Sequence, residues 1–240
     1  MAPEPVYHAV RRLIPARGVA VNHYDAMTVA VMARVLRRDA NALDVGARVG
    51  DLLRPITETA PFGAHVAVEP LAMHAATLRR DFPSVTVIEA ALGDTTGRSK
   101  FCHVVSNDAY SGLRRRPFDR PDEQVATIEV DVRRLDDVWP PTRPLAFVKI
   151  DVEGGEVGVI RGGLATLDAH RPVVVLEHAE RVSSVYGHTT SDLFAALTEV
   201  GYTLFTLPGW LTAEPPLEAR EVDEADAYYF VAAPRAAKRA

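Results

Sequence analysis

The chain has a single cysteine, Cys102, in 240 residues. No internal disulfide can form and no thiolate cage can hold a metal, which fits a reducing cytoplasm. Also missing is any run approaching the roughly 18 consecutive apolar residues of a membrane span. The opening stretch MAPEPVYHAVRRLIPARG lacks the continuous apolar core of a signal peptide, so an unprocessed soluble protein is expected. There is no surplus of basic charge either: the formal net charge is -5, and a duplex-DNA binder needs a basic face that this balance does not advertise. Small molecules are the expected partners, not nucleic acid. No internal repeat or low-complexity segment appears beyond the short Ala/Lys/Arg tail.

What is present is ordinary for a globular protein, with 48% hydrophobic and 25% charged residues. A chain this long can bury one large core, whereas two domains would leave both halves cramped. We therefore expect a helical segment within residues 1–39 packed on one domain spanning 40–240. In the first part, Asp25 to Asp39 carries apolar residues at helical spacing with arginines near its end. His23, Tyr24 and Asp25 either help to cover a site or, through Asp25, cap that helix.

Short apolar or β-branched runs then alternate with helical stretches. The strands are expected at 42–46, 65–69, 86–92, 147–152 and 173–178, and the helices at 49–60, 70–82, 155–170 and 191–201. Alternation of this kind builds a parallel sheet covered on both faces. The last helix has a Ser191–Asp192 start signal and Gly201 as its stop. Two further strand-like runs, 202–208 and 227–233, are joined without an evident helix and can pair antiparallel. Residues 93–146 are irregular, with short strands expected at 98–105 and 126–132 around a polar stretch. Arg114, Arg115 and Arg116 in that stretch read either as a solvated loop or as contacts for an anionic substrate group.

Chemistry concentrates where strands end. Asp44-Val-Gly46-Ala47-Arg48-Val-Gly50 follows the first strand and opens a helix. Its glycines permit close backbone approach to a ligand, and free amides at a helix start receive anionic groups. Glu69, 23 positions after Gly46 and followed by Pro70, is the acid expected on a ribose diol. Loop and acid together indicate a nucleoside cofactor. With only Gly46 and Gly50 present, the spacing departs from the dinucleotide G-x-G-x-x-G and favours S-adenosylmethionine. Ala90-Ala91-Leu92-Gly93-Asp94 offers an apolar wall with a neighbouring carboxylate for adenine. In Lys149-Ile-Asp151-Val-Glu153, the period of two puts three charges on one face at the carboxyl edge of the sheet. Such charges are costly to bury unless paired or used.

The blocks LDVGARVGD, AVEP, IEAALGDTTG and, above all, FVKIDVEGGEVGVIRGGLATLDAHRPVVVLEH resemble the FkbM-type S-adenosylmethionine-dependent methyltransferases over about residues 40–180. Arg48 stands where asparagine is common. The resemblance implies a Rossmann-like α/β fold with a mostly parallel seven-stranded sheet, its last strand antiparallel, and helices on both faces. It also implies O-methylation of a sugar or other hydroxyl-bearing small molecule in secondary-metabolite or glycoconjugate biosynthesis. Carried over by position, Asp44, Gly46, Ala47 and Gly50 face the methionine part of the cofactor, Glu69 and Pro70 the ribose, and Ala91 and Leu92 the adenine. Asp151 sits where donor and acceptor meet.

An alcohol acceptor must lose its proton, and Asp151, Glu153, Glu177 and His178 are the candidate bases. Adjacent strand residues point opposite ways, so Glu177 and His178 share a site only if the strand has ended. His178 titrates in the useful range. Carboxylates here could bind a divalent cation, but no ligand spacing demands one, and no metal is expected. The rival readings are a catalytically silent Rossmann-like binding protein and a nicotinamide-dependent oxidoreductase, the latter lacking its third glycine. A homodimer is compatible with the sequence.

Overall fold

A computed structural model describes residues 23–120, 122–225 and 227–235. The readings made on residues 1–22 and on the tail at 236–240 lie outside the described residues. In chain order, α1 (His23–Val35) leads into β1 (Ala42–Val45), α2 (Leu53–Thr59), β2 (Val66–Val68), α3 (Ala72–Asp81) and β3 (Thr86–Ile88). An excursion follows through β4 (Ala91–Leu92), β5 (Gly97–Val104) and β6 (Val125–Arg133), with a 3-10 turn at Asp108–Tyr110 between the last two. Next come α4 (Leu135–Val138), β7 (Phe147–Ile150), α5 (Glu156–Arg161), α6 (Leu164–His170), β8 (Val173–Glu177) and α7 (Glu180–Ser183). After a 3-10 turn at Ser184–Tyr186, α8 (Thr190–Glu199), β9 (Tyr202–Thr206), α9 (Leu207–Thr212), α10 (Ala219–Glu224) and β10 (Tyr229–Pro234) complete the series.

The main sheet has seven strands in the order β3-β2-β1-β7-β8-β10-β9, and β10 alone runs antiparallel to its neighbours. Strand periodicity divides the core. Phe147, Val175 and Val231 face α1, where Met27, Val31 and Met32 are fully buried. Val148, Ile150, Val174, Leu176 and Phe230 face the opposite layer with α5, α6 and α8. Each of these large side chains contributes roughly 1.5–3 kcal/mol by leaving water. The sheet is thus apolar on both sides, and its polar groups collect at strand ends. The chain leaves β1 toward one edge and β7 toward the other, and a ligand cleft is expected at such a reversal, beyond the carboxyl ends of the strands.

Several expected elements are divided. The run 86–92 splits, with β3 in the main sheet and β4 beside β6 in a separate three-stranded sheet. β5 and β6 pair antiparallel along their lengths, in line with the strands expected at 98–105 and 126–132. The helix expected over 155–170 breaks into α5 and α6 at Gly162–Gly163, where a side chain on Gly162 would stand 2.0 Å from the Gly93 carbonyl oxygen. α8 starts earlier than expected: Thr189 is the N-cap, and Asp192 closes a capping box with it instead of starting the helix. β9 and β10 do pair antiparallel, yet α9 and α10 lie between them. Thr206 starts α9 by accepting the Gly209 N–H at 3.0 Å, with Pro208 in the first turn.

Candidate active site

The ends of β1, β2, β4, β7 and β8 surround a cavity of about 870 Å³. That is near the top of the usual range for small-molecule pockets, roughly 300–1,000 Å³, and leaves room for two ligands end to end. Asp44, Gly46, Ala47, Glu69, Pro70, Ala91, Leu92, Asp151, Glu153, Glu177 and His178 all line it.

At the β1 end the cavity wall is largely backbone. Gly46 has φ +75, and a Cβ there would stand 1.9 Å from the Asp151 carbonyl oxygen. Only glycine lets the β1 loop lie this close to the end of β7. Gly50, with φ +90, packs on the Phe82 ring, faces away from the cavity and shapes the loop indirectly. Arg48 is held in the left-handed region at φ +47, which aims its N–H at Glu69 Oε2 (2.9 Å). The Leu71 N–H donates to Glu69 Oε1 (2.8 Å). Two amides therefore fix this buried carboxylate, leaving further lone pairs toward the cavity. Burial pushes the Glu69 carboxyl up, against these two hydrogen bonds.

Asp44 is 1% exposed, and neither of its carboxylate oxygens has a hydrogen-bond partner within the protein. Lys149 Nζ stands 3.7 Å from it and binds the Gly46 carbonyl at 3.1 Å. A buried carboxylate without donors in a cavity wall is suited to receive an ammonium or hydroxyl from a ligand. Together with the glycine cradle and the amide-held Glu69, it fits an amino-acid-bearing nucleoside. Of the expected adenine wall, Ala90, Ala91 and Leu92 line the cavity, whereas Asp94 is exposed and outside it.

The β7–β8 end is made of side chains. Oxygens of Asp151, Glu153 and Glu177 lie within 4.8 Å of one another. β7 ends at Ile150, and Glu153 reaches this cluster through a left-handed turn, φ +57, followed by Gly154 at φ +100. Such backbone strain tends to persist at functional sites. Three carboxylates this close must share protons or be answered by cations. Lys149 Nζ lies 3.3 Å from Asp151 Oδ2, and Arg116 Nη1 bonds to Glu153 Oε2. The Tyr229 hydroxyl donates to Asp151 Oδ2 at 2.9 Å and lies 3.3 Å from Glu177 Oε2.

Protonation follows from this arrangement. Burial works to raise the Asp151 carboxyl, but the Lys149 charge and hydrogen bonds from Glu177, Tyr229 and Lys149 outweigh it and hold Asp151 below the ordinary range. Burial, then the Asp151 charge, push Glu177 well up, so it keeps its proton for Asp151. Burial and Asp151 also raise Glu153, to about 8, despite Arg116. Behind them Glu156, raised to about 7 by burial, accepts N–H bonds from Val152 (3.2 Å) and Gly154 (3.0 Å) and braces the turn.

His178 sits just past β8, so it and Glu177 do reach the same cavity. Its ring, however, engages Thr190 Oγ1 at Nε2 (2.9 Å) and Ser183 Oγ at Nδ1 (3.2 Å), which fits a bracing role. One residue was not picked out from sequence. Tyr229 comes from the far end of the chain, and its only signal was a place in a strand beside the sheet's carboxyl edge. Its ring stacks on Tyr24, in the first turn of α1, with centroids 5.1 Å apart. Of the two readings of Arg116, a solvated loop residue or a contact for an anionic group, the solvated one is corrected: its guanidinium is largely buried in the site against Glu153.

Family comparison agrees with this geometry. The Methyltransferase FkbM domain matches residues 44–204. The chain therefore belongs to the FkbM methyltransferase family, and S-adenosylmethionine is the cofactor this membership brings with it. No curated protein matches the chain. Among solved structures, the methyltransferase FkbM from Methylobacillus flagellatus KT is 16% identical with a TM-score of 0.51, covering 95% of this chain. This chain spans 58% of that one. The precorrin-6y C5,15-methyltransferase from Geobacter metallireducens GS-15 is 14% identical, with a TM-score of 0.48 and 92% of each chain covered. The O-methyltransferase from Bacillus cereus, solved with SAH, is 11% identical, with a TM-score of 0.45 and 98% and 93% covered.

Proposed function

We propose that this chain transfers a methyl group from S-adenosylmethionine to a hydroxyl oxygen of a small acceptor, a sugar or another hydroxyl-bearing metabolite or glycoconjugate. The observation that carries the reading is one continuous cavity. It has the donor-free carboxylate of Asp44 and the amide-held carboxylate of Glu69 at one end and the carboxylate cluster of Asp151, Glu153 and Glu177 at the other.

When bound, the cofactor supplies an electrophilic methyl group on a sulfonium. Asp44 with the Gly46–Ala47 backbone holds its amino-acid part, Glu69 beside Pro70 takes the ribose hydroxyls, and Ala91 and Leu92 flank the adenine. In-line displacement needs the acceptor oxygen roughly 3 Å from the methyl carbon, so positioning is a large share of the catalysis. Asp151, ionised and fixed by Lys149 and Tyr229, accepts a hydrogen bond from the acceptor hydroxyl and orients it. Glu153, in its ionised form, would take the hydroxyl proton while the methyl–sulfur bond breaks and the C–O bond forms. His178 holds the turn after β8 instead of acting as the base.

The test is calorimetry with S-adenosylmethionine and S-adenosylhomocysteine on the wild type and Glu69→Ala. We expect both to bind and the variant to lose about 1.5–3 kcal/mol, the worth of hydrogen bonds to a charged group. Binding of a nicotinamide dinucleotide in their place would overturn the assignment. A panel of hydroxylated sugars and metabolites, followed by S-adenosylhomocysteine release, then finds the acceptor. On the best acceptor Glu153→Gln should lower kcat by roughly a hundred- to ten-thousand-fold.

A further inference from the structure

The segment joining β5 to β6 crosses the cavity and is fastened on both sides. On the cofactor side, Asp108 Oδ1 takes a hydrogen bond from Arg48 Nε at 2.8 Å, and Asp108 Oδ2 lies 2.8 Å from His74 Nε2. On the acceptor side, Asp119 pairs with Arg181 (3.1 Å) and accepts from the Tyr110 hydroxyl (3.2 Å), while the Arg114 N–H donates to the Tyr186 hydroxyl (3.2 Å). Arg116 lies between these fastenings. Its guanidinium rests 4.5 Å from the centroid of the Tyr110 ring, which stacks on Phe118, and its Nη1 bonds to Glu153. The pair is almost closed to water, with side-chain exposures of 10% and 12%.

We infer that Arg116 is a positioning residue that couples the seating of the β5–β6 segment to the charge state of Glu153, so that Glu153 is set for its task only when the segment lies across the cavity. The groups facing Glu153 explain why. Asp151 from β7, Glu177 from β8 and Glu156 from α5 are acidic, and the Tyr186 and Tyr110 hydroxyls are neutral. Lys149 is committed to Asp44 and Asp151. Arg116 is the cation in contact with Glu153 among the described residues, and it belongs to a segment that lines the cavity through residues from Asp108 to Asp119. Without the Arg116 charge, Glu153 faces acidic neighbours alone and holds its proton more firmly. With the segment seated, the Arg116 charge loosens that hold, leaving the Glu153 carboxyl at about 8. The importance of Glu153 rests on the proposed base role, but the coupling does not.

The measurement is direct titration of the full chain without ligand, with glutamate labelled by 13C at Cδ and the Glu153 signal assigned by its loss in Glu153→Gln. The wild-type midpoint is expected near pH 8. Arg116→Ala should move it alkaline by more than about one unit, the scale on which an adjacent opposite charge acts. Arg116→Lys should give an intermediate value. Asp108→Ala, which releases the segment without touching Glu153, should move it the same way by less. An unchanged midpoint in both Arg116 variants, or in Asp108→Ala, would overturn the coupling. Full methyl transfer by Glu153→Gln would instead sink the base role and leave the coupling standing.

Discussion

At the β1–β2 end of the cavity, the lining is backbone, a glycine and two carboxylates, one of them held by two main-chain amides, all between Asp44 and Leu71. At the β7–β8 end they are side chains brought together from Arg116, Asp151, Glu153, Glu177 and Tyr229. The first end is stiff because its geometry is the backbone's own. The second depends on side chains that converge from β7, β8, β10 and the β5–β6 segment.

This contrast breaks most sharply if Gly46 tolerates a side chain, because that residue locks the two ends together. At φ +75 and with the Asp151 carbonyl oxygen 1.9 Å from any Cβ, Gly46→Ala is expected to cost more than about 3 kcal/mol of stability. Urea denaturation checks it; a wild-type midpoint would show that the ends are not joined there.

Next in size is the brace behind the acceptor end. The Glu156 carboxyl holds its proton up to about pH 7 when folded but only to 4.5 when unfolded, so the folded state binds the proton more tightly. That advantage is complete below pH 4.5 and is lost as pH rises to 7. Stability should fall across the window by up to about 3 kcal/mol, and Glu156→Gln should flatten that part of the fall. Denaturation at pH 5 and pH 8 compares the two proteins, and identical pH dependence would sink the claim.

The smallest effect sharpens the contrast. Tyr229→Phe removes one hydroxyl from the acceptor end and should cost about 1 kcal/mol of stability while changing affinity for S-adenosylmethionine by less than about twofold. A tenfold loss of cofactor affinity would mean that the ends act as one unit.

Legibility in the sequence divides along the same line. Strand and helix alternation exposed the sheet, and the positions of Asp44, Gly46 and Glu69 at strand ends could be read because they follow apolar runs directly in sequence. The split of 86–92 was hidden, since β3 and β4 read as one apolar run until β6 pairs with the second half. Glu153 was placed correctly at the edge, although by a left-handed turn and not by strand alternation. The partners of Arg116 and Tyr229 were hidden for a different reason: an arginine among three in a polar loop and a tyrosine in a strand carry no local mark of a partner far away in the chain. His178 shows the converse, a residue with the right chemistry whose ring nitrogens are engaged by Ser183 and Thr190.

The place of β10 has a consequence for how the protein comes into being. It lies between β8 and β9 but is synthesised after both, with Tyr229 opposite Glu177 in register. As the nascent chain emerges, β8 must keep an open edge while β9 waits unpaired, and such edges invite wrong partners. The strand that fills the gap also delivers the hydroxyl shared by Asp151 and Glu177. Closure of the sheet and completion of the carboxylate cluster at the β7–β8 end therefore wait on the same strand, the last of the described strands to be made.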